Sequence, residues 1–195
     1  MPVGRPRTFD ADKALEKAMK VFWRRGYEGA TLPELTKAMG INRPSMYAAF
    51  GNKEALFHKV MERYAQGPGS AMCRALLEPT AKGVAEAMLR AACELHGSGR
   101  NPRGCLAIQG ALACGDDAEN VRKDLAARRK AQEHALSDRF ERARAEGDLP
   151  RKADPADLAK YICTVLQGMA VQAAGGAGKE ELESVAALAM RAWPE

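Results

Sequence analysis

The 195-residue sequence lacks several features that would place it in common protein classes. It has no apolar run of about 18 residues or more, and no apolar stretch follows its basic start, so neither a membrane span nor a signal peptide is expected. We therefore expect a cytoplasmic protein without a membrane partner. Aromatic residues make up only 6% of the chain, and no segment alternates apolar and polar residues as strands do. These absences predict an all-α fold.

The cysteine pattern and the absence of common enzyme motifs argue against disulfide-rich, metal-binding and enzyme classes. Five cysteines, an odd number without close pairs, fit neither a disulfide framework nor a zinc ribbon. Cys93 and His96 share one helix face, but the loose spacing of the other cysteines argues against a metal site, and no metal or cofactor is predicted. No G-x-S-x-G, P-loop, G-x-G-x-x-G or H-E-x-x-H motif occurs. We predict that the chain is not an enzyme; a Cys-His or metal enzyme is the alternative.

Positive charge is concentrated in the first third of the chain. Residues 1–66 contain 12 basic and 7 acidic side chains, and residues 67–195 contain 18 of each, so the whole net charge of +5 lies in the first segment. A basic module attached to a neutral one indicates a polyanionic partner for the basic part, and nucleic acid is the usual one.

Capping residues and glycine stops divide the chain into helices. Asp10 is placed to cap a helix that ends near Arg25 because Gly26 follows. Thr31 with Glu34 is the pattern of a capping box, and Asn42 and Asn52 are good caps for the next two helices. The predicted helices after the first are 32–39, 43–49, 53–66, 71–77, 80–96, 104–113, 117–146, 155–174 and 179–193.

The second and third predicted helices, joined by a tight turn with Gly40, have the spacing of a helix-turn-helix DNA reader. The third helix would enter the major groove, where short, polar or cationic side chains fit. Met46 and Phe50 are expected to pack inward. The predicted base-reading residues are Arg43, Pro44, Ser45 and Ala48; the predicted phosphate contacts are Thr31, Tyr47 and Lys53, with Arg5 and Arg7 following the backbone or a minor groove.

Residues 10–62 contain a specific combination of residues: Phe22, Gly26-Tyr27, Thr31, Gly40-Ile41, the run Tyr47-Ala48-Ala49-Phe50 and the run Lys53-Glu54-Ala55-Leu56. With these residues the segment resembles the N-terminal domain of the TetR family of bacterial transcriptional regulators. The resemblance implies an all-helical homodimer with a helix-turn-helix domain at 1–52, a connecting helix at 53–66 and a helical effector-binding and dimerisation domain at 53–195. It also implies a repressor that binds a palindromic double-stranded operator and is released by a small-molecule effector.

The remaining residues give weaker indications. Segment 155–174 is apolar around much of its circumference, which together with the last helix favours a dimer interface over a monomeric core helix. The predicted interface comprises Leu158, Ile162, Val165, Met169, Leu182, Val185 and Leu188. The predicted effector pocket comprises Met88, Cys105, Leu112, Arg128, Gln132 and Met169, although such residues are more often core or solvated.

Two alternatives to the ligand-responsive regulator stay open. Cys105 beside Arg103, near a helix N-terminus, has the setting in which a thiol pKa falls, which is what a redox or electrophile sensor needs. A buried cysteine that acts as a small apolar residue is the competing interpretation. The alternative from another class is a helical interaction protein whose N-terminal hairpin binds protein rather than specific DNA.

Overall fold

The computed structural model of the chain describes residues 9–97, 99, 101–110, 112 and 114–195. Throughout these residues the regular structure is helical and no strand occurs, which confirms the predicted all-α class. The helices are α1 Ala11–Gly29, α2 Leu32–Met39, α3 Arg43–Phe50, α4 Lys53–Gln66, α5 Ser70–Ala75, α6 Ala81–Gly97, α7 Leu106–Gln109, α8 Glu119–Ala145, α9 Pro155–Ala174 and α10 Lys179–Arg191; a 3₁₀ turn, Asp116–Ala118, precedes α8.

The predicted caps are present at the first four helices. Side-chain oxygens of Asp10, Thr31, Asn42 and Asn52 each accept a hydrogen bond from the backbone amide three residues later. Each bond satisfies one of the amides that a helix N-terminus leaves without an internal partner. The Glu34 carboxylate does not complete the capping box; it pairs with Arg25 on α1 at 3.2 Å.

The first hydrophobic core joins α1 to α4 with later parts of the chain. Phe22, Phe57 and Tyr27 form an aromatic cluster, in which the Phe57 ring meets the other two edge to face at 5.1 and 5.2 Å between centroids. Leu106 of α7 and Leu125 of α8 are buried in the same core. The connecting helix α4 therefore packs on both the N-terminal helices and the segment around α7.

The second core lies among the C-terminal helices. Here α8 packs along α9, and α6 packs against α9 and α10. Its largest fully buried side chains include Phe140, Leu136, Met88 and Leu89. Arg139 is also buried in this region, where its Nη2 donates to the carbonyl oxygens of Glu78 and Pro79 and so fastens the turn between α5 and α6 to α8.

The predicted helix over 104–113 is corrected by the structure to the four residues Leu106–Gln109. Backbone carbonyls on both sides of this helix accept hydrogen bonds from other helices. The carbonyl of Gly104 accepts from Trp23 and His96, and the carbonyl of Gly110 accepts from the amide of Tyr27. Because tertiary bonds occupy these groups, the helix ends early. The other predicted helices differ at their ends by a few residues, as helix ends commonly do.

Gly26 interrupts α1 in a conformation that only glycine adopts readily. Its dihedrals are φ 70° and ψ 179°, and helical geometry resumes beyond it to Gly29. A Cβ at Gly26 would also lie 3.3 Å from the carbonyl oxygen of Gly110. We expect Gly26→Ala to lower the free energy of unfolding by about 1–3 kcal/mol, measured by urea denaturation.

Gly29→Ala is the matched control for Gly26→Ala. Gly29 lies in the helix three residues later, and a Cβ there would meet only the Arg25 Cβ at 3.5 Å, an ordinary contact. We expect this change to be neutral or stabilising by up to about 1 kcal/mol. Equal stability of the two variants would show that the Gly26 conformation carries no strain for alanine.

Candidate nucleic-acid interface

Helices α2 and α3 are joined by a turn that fixes their relative orientation. Gly40 has φ 72° and ψ 31°, the left-handed geometry in which α2 ends. The amide of Ile41 donates to the carbonyl of Thr36, and Asn42 then caps α3 through the Ser45 amide at 2.8 Å. These bonds satisfy free backbone groups at the end of α2 and the start of α3, so bonds within the chain orient α3.

Helix α3 has one buried face and one outward face. Met46 and Phe50 are buried, which confirms the inward packing expected from the sequence. On the opposite face Arg43, Pro44, Tyr47 and Ala48 are exposed and Ser45 is half-buried. The predicted base-reading residues thus lie together on a surface that a major groove can accommodate. Their contacts with DNA stay a prediction.

Lys53 is already engaged within the chain. Its Nζ donates to the Glu28 carbonyl at 3.3 Å and lies 4.6 Å from the centroid of the Tyr27 ring. Burial lowers the pKa of Lys53, and the nearby Glu28 carboxylate opposes that shift. A phosphate contact by this ammonium would therefore have to compete with its contacts to the end of α1.

The beginning of α1 lies beside the end of α3. Phe9 and Phe50 have ring centroids 6.3 Å apart. The basic segment before Phe9 contains Arg5 and Arg7, whose predicted contacts lie outside the described residues. Thr31, the other predicted phosphate contact, is exposed at the N-terminus of α2.

A junction that sequence reasoning missed connects the N-terminal helices to the rest of the chain. The indole Nε1 of Trp23 donates to the Gly104 carbonyl at 3.0 Å, and His96 Nδ1 lies 2.9 Å from the same oxygen. Burial lowers the pKa of His96, so the imidazole is neutral near pH 7 and Nδ1–H is the donor. These contacts span 81 and 8 positions along the chain. No local pattern reveals the longer of the two.

Cys105 extends this junction to the connecting helix. Its Sγ lies 3.1 Å from the Tyr64 hydroxyl, and the Tyr64 ring stands edge to face on Trp23. The structure does not support the lowered thiol pKa that the sensor alternative needs: burial raises the pKa of Cys105, and the hydrogen bonds from Tyr64 and the α7 backbone only partly offset it. The resting group is therefore a protonated thiol in a packed site.

The five thiols are expected to react with a disulfide reagent at very different rates. Cys73 is exposed, whereas burial raises the pKa of Cys93, Cys105 and the half-buried Cys114, and that of Cys163 to about 11. Below its pKa, the thiolate fraction of each group rises about tenfold for each unit of pH.

We expect one fast-reacting thiol in the native protein at pH 8 and five in denaturant, counted by absorbance. The Cys73→Ser variant should lose the fast phase. A fast phase that persists in this variant would mean that a buried thiol is more accessible than the structure shows.

The predicted effector residues do not form one pocket. Met88 and Met169 are buried in the C-terminal core, whereas Cys105 packs at the N-terminal core and Leu112 is exposed. On α8, Arg128 is held by Asp124 at 2.8 Å, one turn before the half-buried Gln132. Asp124 also faces His58 of α4 at 3.4 Å, so this group ties α8 to the connecting helix.

A cleft of about 470 Å³ lies elsewhere, between α5 and α6. It begins at Pro68, just beyond the end of α4, and none of the six predicted effector residues lines it. The cleft is lined by several alanine side chains and by four charged side chains: Arg74, Glu78, Arg90 and Glu94.

Three of the predicted interface residues are corrected by the structure. Ile162, Met169 and Leu182 are buried in the chain's own core, with at most 1% exposure, because α9 and α10 turn these side chains toward α6 and α8. Leu158 and Val165 are half-buried. Val185 and Leu188 are exposed, and so is Val171, which the sequence did not single out.

Neither a metal cluster nor a membrane-spanning helix is found in the described part of the chain. It contains no group of three or more His, Cys, Asp and Glu side chains that could hold a metal ion. Within the same residues, no helix is both long enough and apolar enough to cross a bilayer.

The family models match two parts of the chain. Residues 14–60 match the model of bacterial regulatory proteins of the tetR family, and residues 85–187 match the model of the tetracyclin repressor-like C-terminal domain. The first match covers the helix-turn-helix and most of α4. The second covers most of the C-terminal helices.

Known proteins are similar over nearly the full length. The HTH-type transcriptional repressor ComR of Escherichia coli strain K12 is 36% identical over 98% of this chain and 92% of its own. BdcR, a repressor of the same strain, is 29% identical over 95% and 90%. A cysteine variant of the TetR family regulator CifR, solved with 26-base-pair operator DNA, superposes with a TM-score of 0.94 at 42% identity over 98% of this chain and 100% of its own. The chain belongs to the TetR family and is a DNA-binding transcriptional regulator.

Proposed function

We propose that the chain is a homodimeric repressor that binds a palindromic operator and releases it when a small molecule binds. The observation that carries this proposal is the exposed face of α3, held outward by a capped helix with a buried apolar face. ComR and BdcR are named repressors, and CifR was solved on operator DNA, which supports the same role here. The division into a reader at 1–52 and an effector and dimerisation part at 53–195 belongs to this proposal.

The exposed side chains of α9 and α10 support the dimer. Leu188 is 59% exposed, Val171 52% and Val185 41%, which leaves apolar surface on two neighbouring helices. Gly168, on α9, is exposed, and a Cβ there would meet nothing within 4 Å. A second copy of this helix pair covers such a surface in a four-helix bundle.

Leu188→Asp is expected to raise the dimer dissociation constant by about 100-fold or more, because a symmetric interface buries the unpaired carboxylate twice. Analytical ultracentrifugation measures the constant directly. Leu77→Asp is the matched control, since Leu77 is 83% exposed in the turn after α5, away from α9 and α10, and its replacement should leave the dimer intact. If both variants dimerise as well as the parent protein, the α9 and α10 surface is not the interface.

The effector response requires a path from the C-terminal helices to α3. Three contacts provide it: Trp23 with Gly104, Tyr64 with Cys105, and His58 with Asp124. The cleft between α5 and α6 adjoins the end of α4, so an occupant there would act on the helix that carries the DNA reader. DNA is released if, in the effector-bound dimer, the distance between the two copies of α3 no longer matches successive major grooves about 34 Å apart. Reciprocal coupling then requires DNA to weaken effector binding equally.

A second candidate is a repressor that responds to modification of Cys105. The Sγ contact with Tyr64 favours it, because an adduct on this half-buried sulfur would replace its contact with the hydroxyl of a residue on α4. The raised pKa makes the reaction slow at neutral pH. Treatment with a small electrophile should then release DNA from the parent protein but not from Cys105→Ser, whereas release from both would exclude Cys105 as the sensor.

The experiment that tests the repressor is the selection of binding sites from random duplex DNA, followed by anisotropy titrations on the enriched sequences. The proposal predicts an enriched inverted repeat. It also predicts an affinity that falls steeply with salt, because binding releases counterions from the DNA and added salt opposes that release. Absence of any enriched sequence under reducing conditions would favour the interaction-protein alternative.

A further inference from the structure

An exposed stripe of four cations follows the outer side of α1. Lys13, Lys17, Lys20 and Arg24 are spaced by four, three and four residues, which aligns them on one helix face. The opposite face carries Ala18 and Phe22, both fully buried. We name these four cations the α1 stripe.

Three of the four cations of the α1 stripe have no counter-charge within the described residues. Lys13 pairs with Asp10 at 3.5 Å, whereas Lys17, Lys20 and Arg24 have no hydrogen-bond or ion-pair partner there. Glu16 of the same helix is paired with Arg63 instead. Neighbouring like charges at this spacing repel each other along a helix. An external anion would relieve that repulsion.

The basic side chains of α8 differ from those of the α1 stripe in having ion-pair partners. Five of its basic side chains pair with carboxylates three or four residues away along the same helix: Arg122, Lys123, Arg128, Arg142 and Arg144. Most basic side chains of α8 therefore have a carboxylate partner close by on the chain, whereas three of the four cations of the α1 stripe have none within the described residues.

We propose that the α1 stripe binds the phosphate backbone of duplex DNA that flanks the operator. This inference rests on the proposed function. The stripe begins at Lys13, about one helical turn after Phe9, whose ring lies beside that of Phe50 at the end of α3. From Lys13 to Arg24 it extends about 16 Å along the helix axis. One DNA strand presents a phosphate about every 3.4 Å of axis, so this length matches about five phosphates.

The test compares two duplexes that carry the same selected operator. One is trimmed to the operator, and the other has about 15 base pairs added on each side, which is roughly one and a half helical turns. The variant combines Lys17→Gln, Lys20→Gln and Arg24→Gln, because glutamine retains the helix propensity of the residues it replaces. Anisotropy titrations at several salt concentrations give the affinity and its salt slope.

We expect the parent protein to bind the flanked duplex about tenfold more tightly than the trimmed one at low salt, with a steeper salt slope. The variant should lose this gain while it binds the trimmed duplex within about twofold of the parent. A control with Lys82→Gln, Arg151→Gln and Lys152→Gln removes the same charge from exposed C-terminal positions and should keep the gain.

Two results would overturn the proposal. One is that the flanks add no affinity for the parent protein. The other is that the variant loses affinity equally on both duplexes, which would place the α1 stripe on the operator itself or in a general attraction. Failure of the repressor proposal is a separate result, since no operator would then be enriched from random DNA.

Discussion

Arg43→Ala is expected to weaken operator binding by about 100-fold in a dimer, because a good contact to a base edge contributes about 1–3 kcal/mol and is lost in both half-sites. Arg43 is exposed at the N-terminus of α3, the end that enters a groove in this motif. The measurement is anisotropy on the selected operator and on variants with one base pair changed in each half-site.

Arg43→Lys separates the two roles that the sequence leaves open for this side chain. Lysine retains the charge but not the planar fork that pairs with guanine. If Arg43 reads a base, lysine should lose preference at one position of each half-site. If it holds a phosphate, lysine should keep both affinity and preference. Unchanged affinity and preference in Arg43→Ala would show that Arg43 takes no part in the interface.

Phe57→Ala is expected to lower the free energy of unfolding of the N-terminal core by about 3–5 kcal/mol. Phe57 is fully buried, and its ring is the shared edge-to-face partner of Phe22 and Tyr27. Its loss leaves a cavity beneath the helices that hold α3. Urea denaturation followed by circular dichroism measures the change.

Tyr47→Ala is the matched aromatic truncation. Tyr47 is exposed on α3, so its removal should change the stability by no more than about 0.5 kcal/mol, although it removes a predicted phosphate contact. The pair of variants separates folding from DNA binding. If Phe57→Ala lowered the free energy of unfolding no more than Tyr47→Ala does, the aromatic cluster around Phe57 would not support the N-terminal core.

Local chemistry made the N-terminal helices predictable. Asp10, Thr31, Asn42 and Asn52 act as caps because a short oxygen-bearing side chain before a helix satisfies a free amide, which depends only on neighbouring residues. Gly40 is similarly local, since its left-handed geometry ends α2 within the same turn. The inward packing of Met46 followed from its spacing on α3.

Contacts between distant parts of the chain explain what the sequence did not reveal. The shortened α7 depends on bonds from Trp23 and His96 to Gly104, which no local pattern encodes. The sequence left two interpretations of Cys105 open for the same reason, because only the fold shows that burial against Tyr64 outweighs the position near a helix N-terminus. Apolar periodicity also could not tell the buried Ile162 from the exposed Leu188.

Footprinting of the selected operator, together with the mass of the complex in solution, tests whether a dimer binds a palindrome. We expect two inverted half-sites whose centres lie about one helical turn of DNA, or a whole multiple of it, apart, occupied by an even number of chains. A single half-site bound by one chain, or protection without any symmetry, would contradict it.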